Sequence, residues 1–176
     1  MAGIDESRTF LPLSIAVLSI SDTRTLEDDS SGKLLVDKLT AAGHALAERA
    51  IIRDDRPAIE ATLRQLLARS DVQVIITTGG TGLTGRDVTP EAMAAVIEKD
   101  IPGFGELFRM LSYQHIGTST IQSRAMAGVA QGKYLFALPG STGACRDAWE
   151  WILQHQLDSR FRPCNFAELL GRLTER

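Results

Sequence analysis

The stretch from Val72 to Pro90 constrains this chain more than any other. Val72-Gln73-Val74-Ile75-Ile76-Thr77-Thr78 is apolar and β-branched over the length of a strand, the composition of a strand covered on both faces. It breaks at Gly79-Gly80-Thr81-Gly82-Leu83-Thr84-Gly85 and continues as Arg86-Asp87-Val88-Thr89-Pro90. The ending predicts a helix start, with Thr89 as N-cap, Pro90 at the first helical position and Glu91 behind it. A strand passing through a Gly/Thr loop into a helix leaves backbone N–H groups unpaired, a concavity suited to an anion such as phosphate. Asp87 lies inside this loop. A carboxylate beside a phosphate is repelled by it unless a divalent cation lies between them.

The same alternation of strand and helix extends to both sides. Leu13 to Ile20 reads as a first strand, ending in the polar cluster Ser21-Asp22-Thr23-Arg24. Glu27-Asp28-Asp29 reads as a solvated loop, with Ser30 or Ser31 capping a helix that carries Leu34, Leu35 and Leu39 and stops at Gly43. His44 to Ile52 is a weaker strand, followed by Arg53-Asp54-Asp55-Arg56-Pro57 and a helix with Ile59, Leu63, Leu66 and Leu67 on one face. After the central loop, the helix from Pro90 runs to about Asp100. Ile101-Pro102-Gly103-Phe104-Gly105-Glu106 then feeds a helix whose Leu107, Met110 and Leu111 are expected in the core. Gln131-Gly132 is a turn before the strand Lys133 to Leu138, which ends in Pro139-Gly140-Ser141-Thr142-Gly143 and a helix containing Trp149, Ile152 and Leu153. The tail carries Phe166, Leu169 and Leu173 as a lid or an oligomer contact. This pattern predicts an α/β fold of three layers, α/β/α, with a largely parallel sheet.

At 176 residues, with no repeat or linker, the chain reads as one domain over residues 13–176 with a C-terminal tail helix, preceded by a mobile segment over residues 1–12. A formal charge of −3 with no basic stretch gives no reason to expect nucleic acid. No apolar run is long enough for a membrane helix, and the polar start is unlike a signal peptide. Cys145 and Cys164 lack the spacing of a zinc or redox motif, which suits a reduced, cytoplasmic setting. His44, His115 and His155 form no metal-ligand pair.

Three strand ends are polar or glycine-rich: Ser19 to Arg24, Thr77 to Asp87, and Pro139 to Gly143. In a parallel sheet they share one edge and can converge on one ligand. Asp54 joins them if the His44 to Ile52 strand is also parallel. Two carboxylates, Asp54 and Asp87, beside glycines that cradle phosphate suggest a Mg2+-assisted phosphoryl or nucleotidyl transfer. The loop is not a Walker A motif, because no Gly-Lys-Ser/Thr follows its glycines, and it does not match the dinucleotide fingerprint.

Thr77-Thr78-Gly79-Gly80-Thr81-Gly82 followed by Arg86-Asp87-Val88-Thr89-Pro90-Glu91-Ala92 resembles the hallmark of the molybdopterin-binding family, which includes the molybdopterin adenylyltransferases. Ile101 to Glu106, Gln122-Ser123-Arg124-Ala125 and Leu138-Pro139-Gly140-Ser141 recur in that family's order, so the resemblance covers nearly the whole chain. It implies molybdenum cofactor biosynthesis and assembly as a homo-oligomer, a trimer or a hexamer. The adenylyltransferases join ATP to the terminal phosphate of molybdopterin with Mg2+ and release pyrophosphate. On this chain the resemblance implies that Thr78, Gly79, Gly80, Thr81 and Gly82 hold the phosphate side of the pterin. Ser123 and Pro139, Gly140 and Ser141 would line the pterin pocket. Asp54 and Asp87 would be the acids for magnesium and adenylyl transfer, with Glu106, Ser21 and Asp22 bordering the nucleotide or pterin. One departure stands out: Thr142-Gly143 occupies the place where the adenylyltransferases usually carry Pro-Lys. The paired acids favour an enzyme, whereas loss of that cation favours a protein that binds or carries molybdopterin without chemistry.

Overall fold

A computed structural model describes residues 2–175. In chain order the elements are β1 (Gly3–Ile4), β2 (Ser14–Ile20), α1 (Ser30–Ala41), β3 (Ala45–Ile52), α2 (Arg56–Ala68), β4 (Val74–Thr78), α3 (Thr89–Ala94), β5 (Lys99–Asp100) and α4 (Pro102–Ile116). A 3-10 turn (Gly117–Gln122), β6 (Met126–Ala130), β7 (Lys133–Leu138) and α5 (Thr142–Ala148) follow. A π-helical turn (Trp149–Leu153), α6 (Gln154–Gln156), β8 (Phe161–Arg162) and α7 (Phe166–Leu169) complete the chain, with a last 3-10 turn (Leu170–Arg172).

Six strands form the main sheet in the order β3-β2-β4-β7-β6-β5. The first four are parallel; β6 runs antiparallel to β7, and β5 antiparallel to β6. Alternation along each central strand feeds two cores. Ile15, Val17, Val74, Ile76 and Phe136 join α1, α4 and α5 on one face, while Ala16, Leu18, Ile75, Leu135 and Ala137 join α2 and α3 on the other. Both faces are therefore apolar, which is why β2, β4 and β7 read as continuous hydrophobic runs. Each large side chain withdrawn from water here contributes about 1.5–3 kcal/mol. The sheet with helices on both faces is the three-layer α/β/α arrangement expected.

Several local expectations are corrected. Val88, not Thr89, caps α3; Thr89 starts the helix and donates its hydroxyl to the Gly79 carbonyl at 2.9 Å. That helix ends at Ala94, and Lys99–Asp100 is a strand. Asp29, expected in a solvated loop, is 5% exposed and caps α1 in place of Ser30 or Ser31. Its carboxylate accepts from Gly32 N and from the Ser19 hydroxyl and pairs with Arg49 at 3.2 Å, which accounts for its burial. On α4 the buried stripe is Phe104, Phe108 and Ser112, whereas Leu107 and Met110 face solvent. A helix tolerates several apolar stripes, and packing on the sheet selects one of them.

The N-terminal segment expected to be mobile is tied down over its described part. Gly3–Ile4 pairs antiparallel with Phe161–Arg162, Thr9 and Leu11 bond the Ser159 hydroxyl, and the Phe10 ring packs tilted against His44. The tail turns Phe166 inward onto Tyr134, at 4.8 Å between ring centroids, so this residue covers the sheet, while Leu169 stays exposed.

His44 is buried and accepts a hydrogen bond from Leu13 N through Nδ1 at 3.2 Å, so the ring is held neutral with its proton on Nε2. Burial lowers its pKa below the ordinary 6.5, against a smaller opposing pull from Asp158. The folded chain therefore binds fewer protons than the unfolded chain just below that value. The contribution of His44 to stability is complete above pH 6.5 and declines as the pH falls through it. Thermal melts across this range should show a steeper loss for the wild type than for His44→Gln, and equal slopes would exclude the effect.

Candidate functional site

The parallel register ends four strands at one level. Ile20 stands opposite Ile52, Ser19 opposite Thr78, and Thr78 opposite Leu138. The residues that follow, Ser21-Asp22, Arg53-Asp54, Gly79-Gly80 and Pro139-Gly140, therefore share the carboxyl edge of the sheet, where ligands of open α/β folds bind. Gly79 leaves β4 with φ +102°, and a Cβ there would lie 2.4 Å from the Ile20 carbonyl oxygen. Both conditions require glycine. Gly79 N donates to Leu138 O, and Thr89 N donates to Gly80 O at 3.0 Å, so the loop is pinned at each side. Between these pins the N–H groups of Gly80 and Thr81 make no hydrogen bond among the described residues. Adjacent backbone N–H groups left without a partner are the element from which anion-binding concavities are built.

Arg124 holds the second half of the loop. Its guanidinium donates to the carbonyls of Gly82 at 2.8 Å and Asp87 at 2.6 Å and pairs with Glu91, while its N–H reaches Thr81 O. The Asp87 carboxylate accepts from both the N–H and the hydroxyl of Thr84, at 2.8 and 2.6 Å. Those bonds, led by the Thr84 hydroxyl, hold its pKa below the usual carboxylate value. Gly82 permits this placement, since a Cβ there would lie 2.8 Å from Asp87 Oδ2.

Asp54 is the opposite case. Its Oδ1 is buried without a hydrogen-bond partner among the described residues. Desolvation, then the charges of Asp87 and Asp22, raise its pKa against the smaller opposing effects of the Val88 backbone N–H and the Arg86 charge. Asp22 accepts from Asp54 N at 3.3 Å and pairs with Arg86. Asp54, Asp87 and Asp22 thus feel one another across the loop. An acidic group with an orphaned oxygen fits a cation. Among the described residues no three His, Cys, Asp or Glu side chains form a complete ligand cage. Mg2+ seldom uses one, and is held instead by one or two carboxylates together with substrate phosphates and water.

In front of the loop lies a cavity of about 820 Å³. Of the residues expected at the site, Gly79, Gly80, Thr81, Gly82, Asp87, Ser123, Pro139, Gly140 and Ser141 line it. Thr78 does not. Its hydroxyl is turned to Pro139 O and Cys145 Sγ, and it borders a small hollow of about 100 Å³ shared with Ser21. Ser21 accepts from the Thr23 and Arg24 N–H groups and shapes the turn. Glu106 lies apart, in a separate cleft with Arg109 and Met126. The far wall of the cavity, including His115, Asp147 and Trp151, was not legible in the sequence. Its one signal is helical spacing, since Phe108, Ser112 and His115 share a face of α4.

Residues 16–159 match the family described as "Probable molybdopterin binding domain". The chain is 52% identical over 160 residues to molybdenum cofactor biosynthesis protein B of Escherichia coli K12, covering 91% of this chain and 94% of that protein. It is 46% identical over 142 residues to the protein of the same name from Bacillus anthracis, covering 80% and 84%. A crystal structure of molybdenum cofactor biosynthesis protein B has a TM-score of 0.87 at 39% identity, covering 96% of this chain and 100% of that one. The tungsten cofactor synthesizing protein MoaB from Pyrococcus furiosus has a TM-score of 0.74 at 32% identity, covering 82% and 92%.

The two acids should respond oppositely to neutralisation in metal-free protein. The pKa of Asp54 is raised, so its ionisation costs stability that builds as the pH climbs above the ordinary 3.8 and is complete above the raised value, and Asp54→Asn should melt no lower than the wild type at neutral pH. The pKa of Asp87 is lowered, so its ionised form stabilises the fold above the ordinary carboxylate value of 3.8, and Asp87→Asn should melt lower. Equal losses in both variants would contradict this electrostatic picture.

Proposed function

This chain belongs to the molybdopterin-binding family, and on that premise we propose that it binds molybdopterin in the cavity before the glycine loop and adenylylates it with ATP and Mg2+. The observation that carries the reading is one juxtaposition: the free Gly80 and Thr81 N–H groups lie in the same loop as Asp87, with the orphaned Asp54 Oδ1 across from it. In the reaction a terminal phosphate oxygen of molybdopterin attacks the α-phosphorus of ATP. The bond from that phosphorus to the bridging oxygen breaks, and pyrophosphate leaves with the electron pair.

The residues divide the work. The loop N–H groups hold the acceptor phosphate and aim its oxygen, a positioning effect. Arg124 and Thr84 fix the loop and Asp87 in place before substrate arrives, so little reorganisation is needed at the reacting phosphates. Asp54 and Asp87 would hold Mg2+, which when bound would offset the negative charge on the transferring phosphates. Gly79 and Gly140 let the strand ends close up beneath the loop, because a Cβ on Gly79 would meet the Ile20 carbonyl and one on Gly140 would lie 3.2 Å from the Gly79 α-carbon.

A second reading is a carrier that holds molybdopterin without chemistry. Gly143 favours it, because this residue lines the cavity where the adenylyltransferases usually present a lysine. Homo-oligomeric assembly, as a trimer or a hexamer, belongs to either reading. The exposed Met110, Tyr113 and Ile116 of α4 and Ile121 beyond it supply apolar surface for it. Light scattering of the purified protein should give a mass above one chain, and a monomer at micromolar concentration would remove assembly from the proposal.

Single-turnover formation of adenylylated molybdopterin tests the chemistry. Wild type with ATP and Mg2+ should form product, and Asp54→Ala and Asp87→Ala should each slow it by about 100-fold or more. Absence of product from wild-type protein that demonstrably binds molybdopterin would select the carrier.

A further inference from the structure

The cavity has two chemically different ends. At the loop it offers backbone donors for an anion; at the far wall it offers Asp147, Glu150, Trp151 and His115. Trp151 is half-buried and meets the His115 ring edge-on, with centroids 4.7 Å apart at 66°. His115 Nδ1 lies 3.4 Å from Asp147 Oδ2, and the other Asp147 oxygen makes no hydrogen bond among the described residues. Glu150 is already engaged by Lys38 at 2.5 Å. Trp151 sits in the π-helical turn, a departure from regular helix that often marks functional positions. The same turn sends Trp149 into the core.

A ligand that fits both ends is acidic at one and carries a flat ring with hydrogen-bond donors at the other. A carboxylate accepts two parallel N–H bonds from a ring edge with adjacent donors. The 2-amino-4-oxo-pyrimidine edge of a pterin has that pair, an amino group beside a ring N–H. Adenine does not, because its amino group flanks a bare acceptor nitrogen. We propose that Asp147 reads the donor edge of the pterin ring while Trp151 packs against its face, so that this wall is the ring subsite of the cavity and selects pterin over adenine. The proposal rests on molybdopterin being the ligand, as proposed above, and adds where its ring lies and what chooses it.

Two tryptophans, one in the core and one in the cavity, make the subsite observable. Neopterin monophosphate, which carries the pterin ring and a phosphate, serves as the probe, with calorimetry for affinity and tryptophan emission for contact. The wild type should bind it with quenched emission, which inorganic phosphate does not produce. In Trp151→Phe the quench should shrink, since the buried Trp149, 1% exposed, can lose emission to the ring through space but not by contact. In the wild type AMP should compete more weakly than GMP, whose ring carries the same donor pair; in Asp147→Asn affinity should fall about tenfold and that preference should disappear. Binding at wild-type affinity in Asp147→Asn, with no quench in the wild type, would place the ring elsewhere and overturn the subsite while leaving the proposed function standing. No binding to the wild type by calorimetry would overturn both.

Discussion

Gly79 turns out of the central strand into left-handed backbone, with the Ile20 carbonyl where its side chain would be and Gly140 against its α-carbon. Three strand ends meet at this residue. The contact is possible because β2, β4 and β7 are parallel and in register, so their carboxyl ends stop at one level. The loop that follows cannot relax back onto the sheet. Thr89 bonds it at Gly79 and Gly80, and Arg124 draws its second half toward the Gly82 and Asp87 carbonyls. In between, Gly80 and Thr81 line the cavity with N–H groups that have no partner among the described residues. The site is in this sense a by-product of how closely the strands can approach.

The electrostatics of the edge follow from the same packing. Asp87 lies among donors and is comfortable as an anion, whereas Asp54 is desolvated and faces two other carboxylates. A pair set apart in this way is a common mark of functional carboxylates, because a fold gains nothing in stability from burying an oxygen without a partner. Further along the cavity the character changes from backbone donors to carboxylates and an aromatic ring. An elongated ligand that is anionic at one end and flat and donor-bearing at the other would use both.

Much of the scaffold was legible because its signals are local. β2, β4 and β7 are apolar runs, Asp55 and Pro57 start α2, and Gln131-Gly132 forms a tight turn with both residues at positive φ. The antiparallel β6 carries little strand signal because three of its residues, Ala127, Gly128 and Ala130, are small. Gly128 is small for a tertiary reason, since the Ile97 side chain occupies the space of its Cβ. The N-terminal segment looked free because its composition is polar, yet strand pairing uses backbone groups that composition does not report. Asp29 looked solvated for the same reason, and only the positions of Ser19 and Arg49 show why a carboxylate is buried there.

By itself the sequence determined the alternation of strand and helix, the glycine loop with its embedded Asp87, and membership of a family whose motifs span the chain. These are properties of contiguous residues, for which spacing and residue type suffice. The tertiary structure decided which side chains share one space. It brought Asp54 within electrostatic reach of Asp87, sent Thr78 inward and Glu106 to another cleft, and assembled a cavity wall from α4, α5 and the π-helical turn. Convergence of residues distant in the chain depends on strand order, register and the rotation of each helix about its axis. Those are set by packing of the whole core, which no local pattern encodes.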